Sequence, residues 1–211
     1  MRSLLSVLFP LAAASLLAAA EPVAIDRPMM LELPPTTLGQ PPSPRALVDA
    51  REELRRRFRE PLSHAETAAG AARAAEALLD ASLAEEDRDL KWLMLAEARR
   101  LSAEAGNAVA VDRAIVLASA CYEFDAIDAE LRSLTAIPLR GLDPPRATAL
   151  AEVAEKLAER AATDRRLDVA VAAQTLAIRG WQRAGNKAAA LRAAARHDEV
   201  EAARVQSKEA R

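Results

Sequence analysis

Glu85, Glu86, Asp87 and Asp89 form the densest group of carboxylates in the chain. Such a group could ligate a divalent cation or supply a general acid and base. It lacks the alternating Asp/Asn residues, the turn glycine and the closing glutamate of a calcium loop. Negative charge is favoured at a helix N-terminus, so a capping role is expected for this loop, with Asp89 repeated later as Asp168. The two histidines, His64 and His197, have no partner at metal-ligand spacing. No serine sits in a G-x-S-x-G elbow, and neither a Walker nor a Rossmann glycine pattern occurs. Cys121 is the single cysteine; it permits no internal disulfide and is expected to be a small buried core residue. Trp92 and Trp181 are expected to fill core space rather than anchor a partner. The run Arg55-Arg56-Arg57 follows two glutamates and reads as a solvated helix face. These residue types therefore assign no catalytic group, no metal ligand and no cofactor.

One stretch of the chain that holds some of these residues is written twice. Residues 68–114 align without a gap on residues 147–193, 79 positions further along. The informative matches are Glu76/Glu155, Leu78/Leu157, Asp89/Asp168, Arg100/Arg179 and Arg113/Arg192, together with Ala105-Gly106-Asn107 on Ala184-Gly185-Asn186. A repeat of this size predicts an all-α, helical-repeat fold in which each unit buries its neighbour's apolar face. The composition agrees, with 3% aromatic residues and an abundance of alanine, leucine, arginine and glutamate, which are strong helix formers. Gly106 and Gly185 are expected at left-handed C′ positions, and Asn107 and Asn186 as the N-caps that follow, making four structural turn residues.

The pattern predicts a first helix over residues 45–59, with a stripe of Leu47, Leu54 and Phe58 and the pairs Glu52–Arg56 and Glu53–Arg57. Two similar three-helix units follow, at about residues 64–122 and 143–205. In the first, helices are expected from Ser63 or His64 to Ala84, from Arg88 to Ala105, and from Ala108 to Tyr122. The second helix buries Leu90, Leu93, Met94, Ala98 and Leu101. Asp125 caps a short helix between the units, and Asp143-Pro144 opens the second unit. Its helices are expected over residues 145–162, 166–184 and 187–205, the last polar enough to close a stack.

Ahead of this domain, residues 1–20 combine a short positive start, an apolar run and an A-x-A site at Ala18-Ala19-Ala20, the pattern of a secretory signal peptide. Residues 21–44 contain Pro22, Pro28, Pro34, Pro35, Pro41, Pro42 and Pro44 and form a linker, either extended over the surface or disordered. The helical-repeat domain then occupies residues 45–211. The formal net charge of −2 offers no general attraction to nucleic acid, and a membrane contact is expected only if the N-terminal segment stays uncleaved.

The helix–Gly-Asn–helix arrangement resembles a tetratricopeptide-type α-solenoid, and Ala190 fits its small residue five positions beyond the turn glycine, where the first copy has Val111. The chain is also similar to helical segments of exported proteins of planctomycete-type bacteria. The likeness rests on Glu53-Leu54-Arg55-Arg56-Arg57-Phe58, residues 93–107, and Phe124-Asp125-Ala126-Ile127-Asp128. It implies no catalytic residues. The expectation is a non-enzymatic periplasmic or secreted scaffold binding an unidentified protein or peptide, by helix-in-groove recognition. The alternatives are an accessory hydrolase or polymer-processing protein using the acidic loop of residues 85–89, and a structural envelope component.

Overall fold

A computed structural model describes residues 38–209; the segment read as a signal peptide and the linker up to residue 37 lie outside the described residues. Nine α-helices follow one another among these residues: α1 Leu47–Arg57, α2 Arg59–Ser63, α3 Ala68–Ala84, α4 Arg88–Glu104, α5 Ala108–Ser119, α6 Ala126–Thr135, α7 Pro144–Thr163, α8 Leu167–Arg183 and α9 Lys187–Glu209. A 3-10 turn at Leu139–Gly141 joins α6 to α7. The fold is all-helical, and its one β-type pairing among the described residues is an isolated bridge between Gly39 and Tyr122. No described helix is long and apolar enough to cross a membrane.

Local chemistry explains where the boundaries depart from the sequence expectation. Pro61 has no N–H to return to the Arg57 carbonyl, so the expected first helix breaks at Phe58 into α1 and α2. Of the two ion pairs expected there, Glu53–Arg57 forms at 2.5 Å, whereas Arg56 turns to Glu53 at 2.7 Å rather than to Glu52. Ser63 does not open α3, because its hydroxyl is donated to the Glu60 carbonyl at 2.8 Å. Thr67 caps that helix instead, accepting the Gly70 N–H at 3.0 Å. The helix expected to reach Tyr122 ends at Ser119, and the chain beyond it pairs with the end of the linker. Gly39 donates its N–H to the Cys121 carbonyl at 3.0 Å and accepts the Glu123 N–H at 2.9 Å. That turn leaves Cys121 half-buried at the edge of the core rather than inside it.

The core runs along the chain in three successive clusters. The first joins α1, α3, α4 and α5 through Leu54, Leu78, Leu79, Leu90, Met94, Leu101 and Ala114. The second centres on Leu134, Leu150 and Leu157 of α6 and α7, and the third ties α9 to α7 and α8 through Trp181 and Ala193. Burying a leucine contributes roughly 1.5–3 kcal/mol and an alanine far less, so the alanines act chiefly by letting helices approach. Ala147, Ala151, Ala154, Ala158 and Ala161 form one such stripe on α7, each 1% exposed or less. Opposite them, a Cβ on Gly180 of α8 would lie 2.9 Å from the Ala151 Cβ and 3.1 Å from the Ala147 carbonyl oxygen.

Between the sets α3–α5 and α7–α9 several helix boundaries recur 79 residues apart, although α3 and α7 start at 68 and 144. α4 and α8 start at 88 and 167 and end at 104 and 183, and α5 and α9 start at 108 and 187. In both sets an arginine of the third helix meets an acidic pair on the first. Arg113 lies 3.0 Å from Glu76 and 2.9 Å from Asp80; Arg196 lies 3.5 Å from Glu155 and 3.9 Å from Glu159. The second arginine stands one helical turn beyond Arg192, the residue aligned with Arg113.

Candidate functional site

The short helix α6 is fastened between the two sets. Asp125 caps it by accepting the Asp128 N–H at 2.9 Å, and Arg166, at the start of α8, donates to Asp125 and Asp128 at 2.6 Å each. The Arg166 guanidinium, with the Asp128 amide, holds the Asp125 carboxyl below the usual carboxylate range. Fixed this way, α6 forms one wall of an open cleft of about 710 Å³ shared with α5 and α7. Asp112 comes from α5 and Ile127 from α6, while Lys156, Glu159 and Arg160 come from α7, with Asp164 at its end.

Beneath this cleft Glu130 of α6 is fully buried. One carboxylate oxygen accepts from Arg160 at 2.5 Å, and the other has no hydrogen-bond partner. Burial pushes the Glu130 carboxyl up from its ordinary range, the Arg160 guanidinium opposes that shift, and Asp112 adds to it. Arg160 also lies 3.8 Å from Asp112, so one arginine links α5, α6 and α7. The only hydroxyl on the cleft wall, Thr163, is donated to the Glu159 carbonyl at 2.9 Å. The lining thus offers two cations and three carboxylates beside one apolar side chain, a set of charges that can orient a polar or charged partner.

The acidic loop is committed elsewhere. Glu85 pairs with Arg57 at 2.7 Å and accepts the Asp87 N–H at 3.0 Å. Asp87 is the N-cap of α4, accepting from the Asp89 and Leu90 amides at 2.9 and 3.1 Å. Capping therefore falls to Asp87 and not to the repeated Asp89, whose counterpart Asp168 instead meets Arg204 at 3.0 Å and Lys208 at 3.6 Å. Among the described residues no three metal-ligating side chains converge. His64 ends α2, and His197 on α9 faces only Asp198 at 3.3 Å.

The four turn residues stand at helix junctions away from this cleft. Gly106 and Gly185 have φ of 72° and 75°. Asn107 and Asn186 cap the helices that follow, accepting from the Ala110 and Ala189 amides at 3.1 and 3.0 Å. Trp92 packs edge-on against Tyr122 and Phe124, with ring centroids 5.0 and 5.4 Å away. Trp181 is 8% exposed and donates its indole N–H to Glu155 at 3.0 Å.

Sequence reasoning did not single out Glu130 or Arg160. For Glu130 a signal existed: Ile127, Glu130, Leu131 and Leu134 follow helical spacing, which places the carboxylate on the apolar face of α6. Arg160 carries no such mark, because its role depends on two helices distant in sequence. No family model, curated protein or solved structure matches this chain.

Proposed function

We propose that this chain is a non-enzymatic scaffold of the periplasm or the secreted space, binding a protein or peptide at the cleft between α5, α6 and α7. In this reading the helices form a tetratricopeptide-like stack of two similar three-helix units, with α6 as the wedge between them. The recurring helix boundaries and the Gly-Asn turn in each set support the stack. The signal-like residues 1–20 support export.

The observation that carries the binding role is the composition of the cleft. Asp112, Lys156, Glu159 and Asp164 present charge to solvent beside Ile127, and the one wall hydroxyl is already bonded. Such a surface selects a partner by complementary charge more than by buried area. Affinity capture from envelope extract is expected to recover a protein partner. Lys156→Glu should abolish that recovery, whereas Arg192→Glu, on an exposed position of α9, should leave it intact. Recovery of no protein, together with a metal-dependent turnover lost in Asp87→Asn, would sink this reading in favour of the acidic loop.

A further inference from the structure

A second groove, of about 270 Å³, lies between α4 and α6 and shares no lining residue with the cleft. Three arginines reach it, Arg99 and Arg100 from α4 and Arg132 from α6, against one acid, Glu104. Arg100 is already engaged: it meets Glu97 at 2.6 Å and also bonds Glu104. That leaves one guanidinium group with no counter-ion and a second with only a long contact to one. Half-buried Arg99 forms no ion pair and no side-chain hydrogen bond among the described residues. The nearest acid to Arg132 is Asp128 at 3.9 Å, and Asp128 is itself held by Arg166 at 2.6 Å.

Two like charges facing one groove are unfavourable, the more so where burial removes part of their hydration. Burial and the neighbouring Arg132 both push the Arg99 guanidinium down from its ordinary value, and no carboxylate offsets them. The floor between them is made of small residues, Ala103 and Ala129, so the space is not filled by protein. The Ser133 hydroxyl is donated to the Ala129 carbonyl at 2.8 Å, which leaves the arginines as the donors available there. Guanidinium forks match the paired oxygens of carboxylate and phosphoryl groups, and each such charge-assisted bond is stronger than a neutral one.

We infer that this groove binds an oxyanion, a phosphoryl or a carboxylate group, held between Arg99 and Arg132. The inference does not rest on the scaffold reading, since a small anion would be bound whether or not a protein occupies the cleft. Calorimetric titration of the full chain with inorganic phosphate, and separately with acetate, tests it at low ionic strength, where charges are least screened. One saturable site is expected for at least one anion. Stronger phosphate binding points to a phosphoryl source and stronger acetate binding to a carboxylate. Arg99→Gln and Arg132→Gln should each weaken binding by roughly tenfold or more. Arg192→Gln, which removes an exposed charge from α9, should leave it unchanged. Because the Arg132 side chain is 73% exposed, its replacement decides the matter even if Arg99→Gln fails to fold. Absence of saturation with both anions, or equal weakening by Arg192→Gln, would overturn the inference.

Discussion

Arg165 has φ of 59° at the end of α7, where its N–H and that of Arg166 close a Schellman turn onto the Ala162 and Ala161 carbonyls at 3.0 and 2.8 Å. Gly106 and Gly185 make the same turn after α4 and α8. A left-handed residue costs a side chain roughly 1–2 kcal/mol, so Arg165→Gly should raise stability by about 1 kcal/mol in urea unfolding. The two glycines are not equivalent. A Cβ at 106 would lie 2.5 Å from Leu142 Cδ2, while nothing lies within 4 Å of one at 185. Gly106→Ala should therefore lower stability by at least about 1 kcal/mol more than Gly185→Ala, and equal losses would show that Leu142 yields freely. Glycine before asparagine advertises such a turn in the sequence; an arginine imposed on it by the surrounding helices does not. Buried Glu130 supplies a pH-dependent prediction. Its carboxyl is raised in the folded chain, so its contribution is fully present below the unfolded value, about pH 4.3, and is lost as pH rises through the folded value. Glu130→Gln, which cannot ionise, should gain stability relative to the parent over that rise. Parallel stability profiles for the two proteins would contradict this.

At the scale of elements, the sequence made helix existence legible and left helix ends less so. Ala, Leu, Arg and Glu dominate every segment, and Asp143-Pro144 starts α7 where capping chemistry places it, with the Asp143 carboxylate on the Arg146 N–H at 2.9 Å. The missed boundaries turn on competition between neighbours: Pro61 dividing α1 from α2, and Thr67 taking the cap that Ser63 could have supplied. The extended pairing of Gly39 with residues 121–123 was illegible for another reason, because its partner lies far along the chain. How closely two elements approach depends on single residues. Gly180→Ala would gain about 1 kcal/mol of helix propensity, yet its methyl group meets the α7 backbone, where overpacking costs roughly 1–3 kcal/mol. A net loss of stability is expected in thermal unfolding, and a rise would mean that α7 and α8 separate without penalty.

Across the whole molecule, helices pack mainly on helices near them in the chain, so the core grows as a series of linked clusters rather than around one centre. The spaced identities in the sequence predict this kind of assembly, in which each helical unit's apolar face is completed by its neighbour. The candidate site was not legible at this scale. It arises where α6, which lies outside the two aligned segments, meets α5 and α7, and aligned identities carry no information about an unmatched segment. In the proposed reading, this junction is where a partner binds. Site-specific photocrosslinking in the living cell tests it most directly, with the photoreactive residue placed at Ile127 in the cleft or, as a control, at Leu191, 73% exposed on α9. A discrete covalent adduct to another protein is expected from position 127 and none from 191. Adducts of equal yield from both positions, or none from 127, would contradict it.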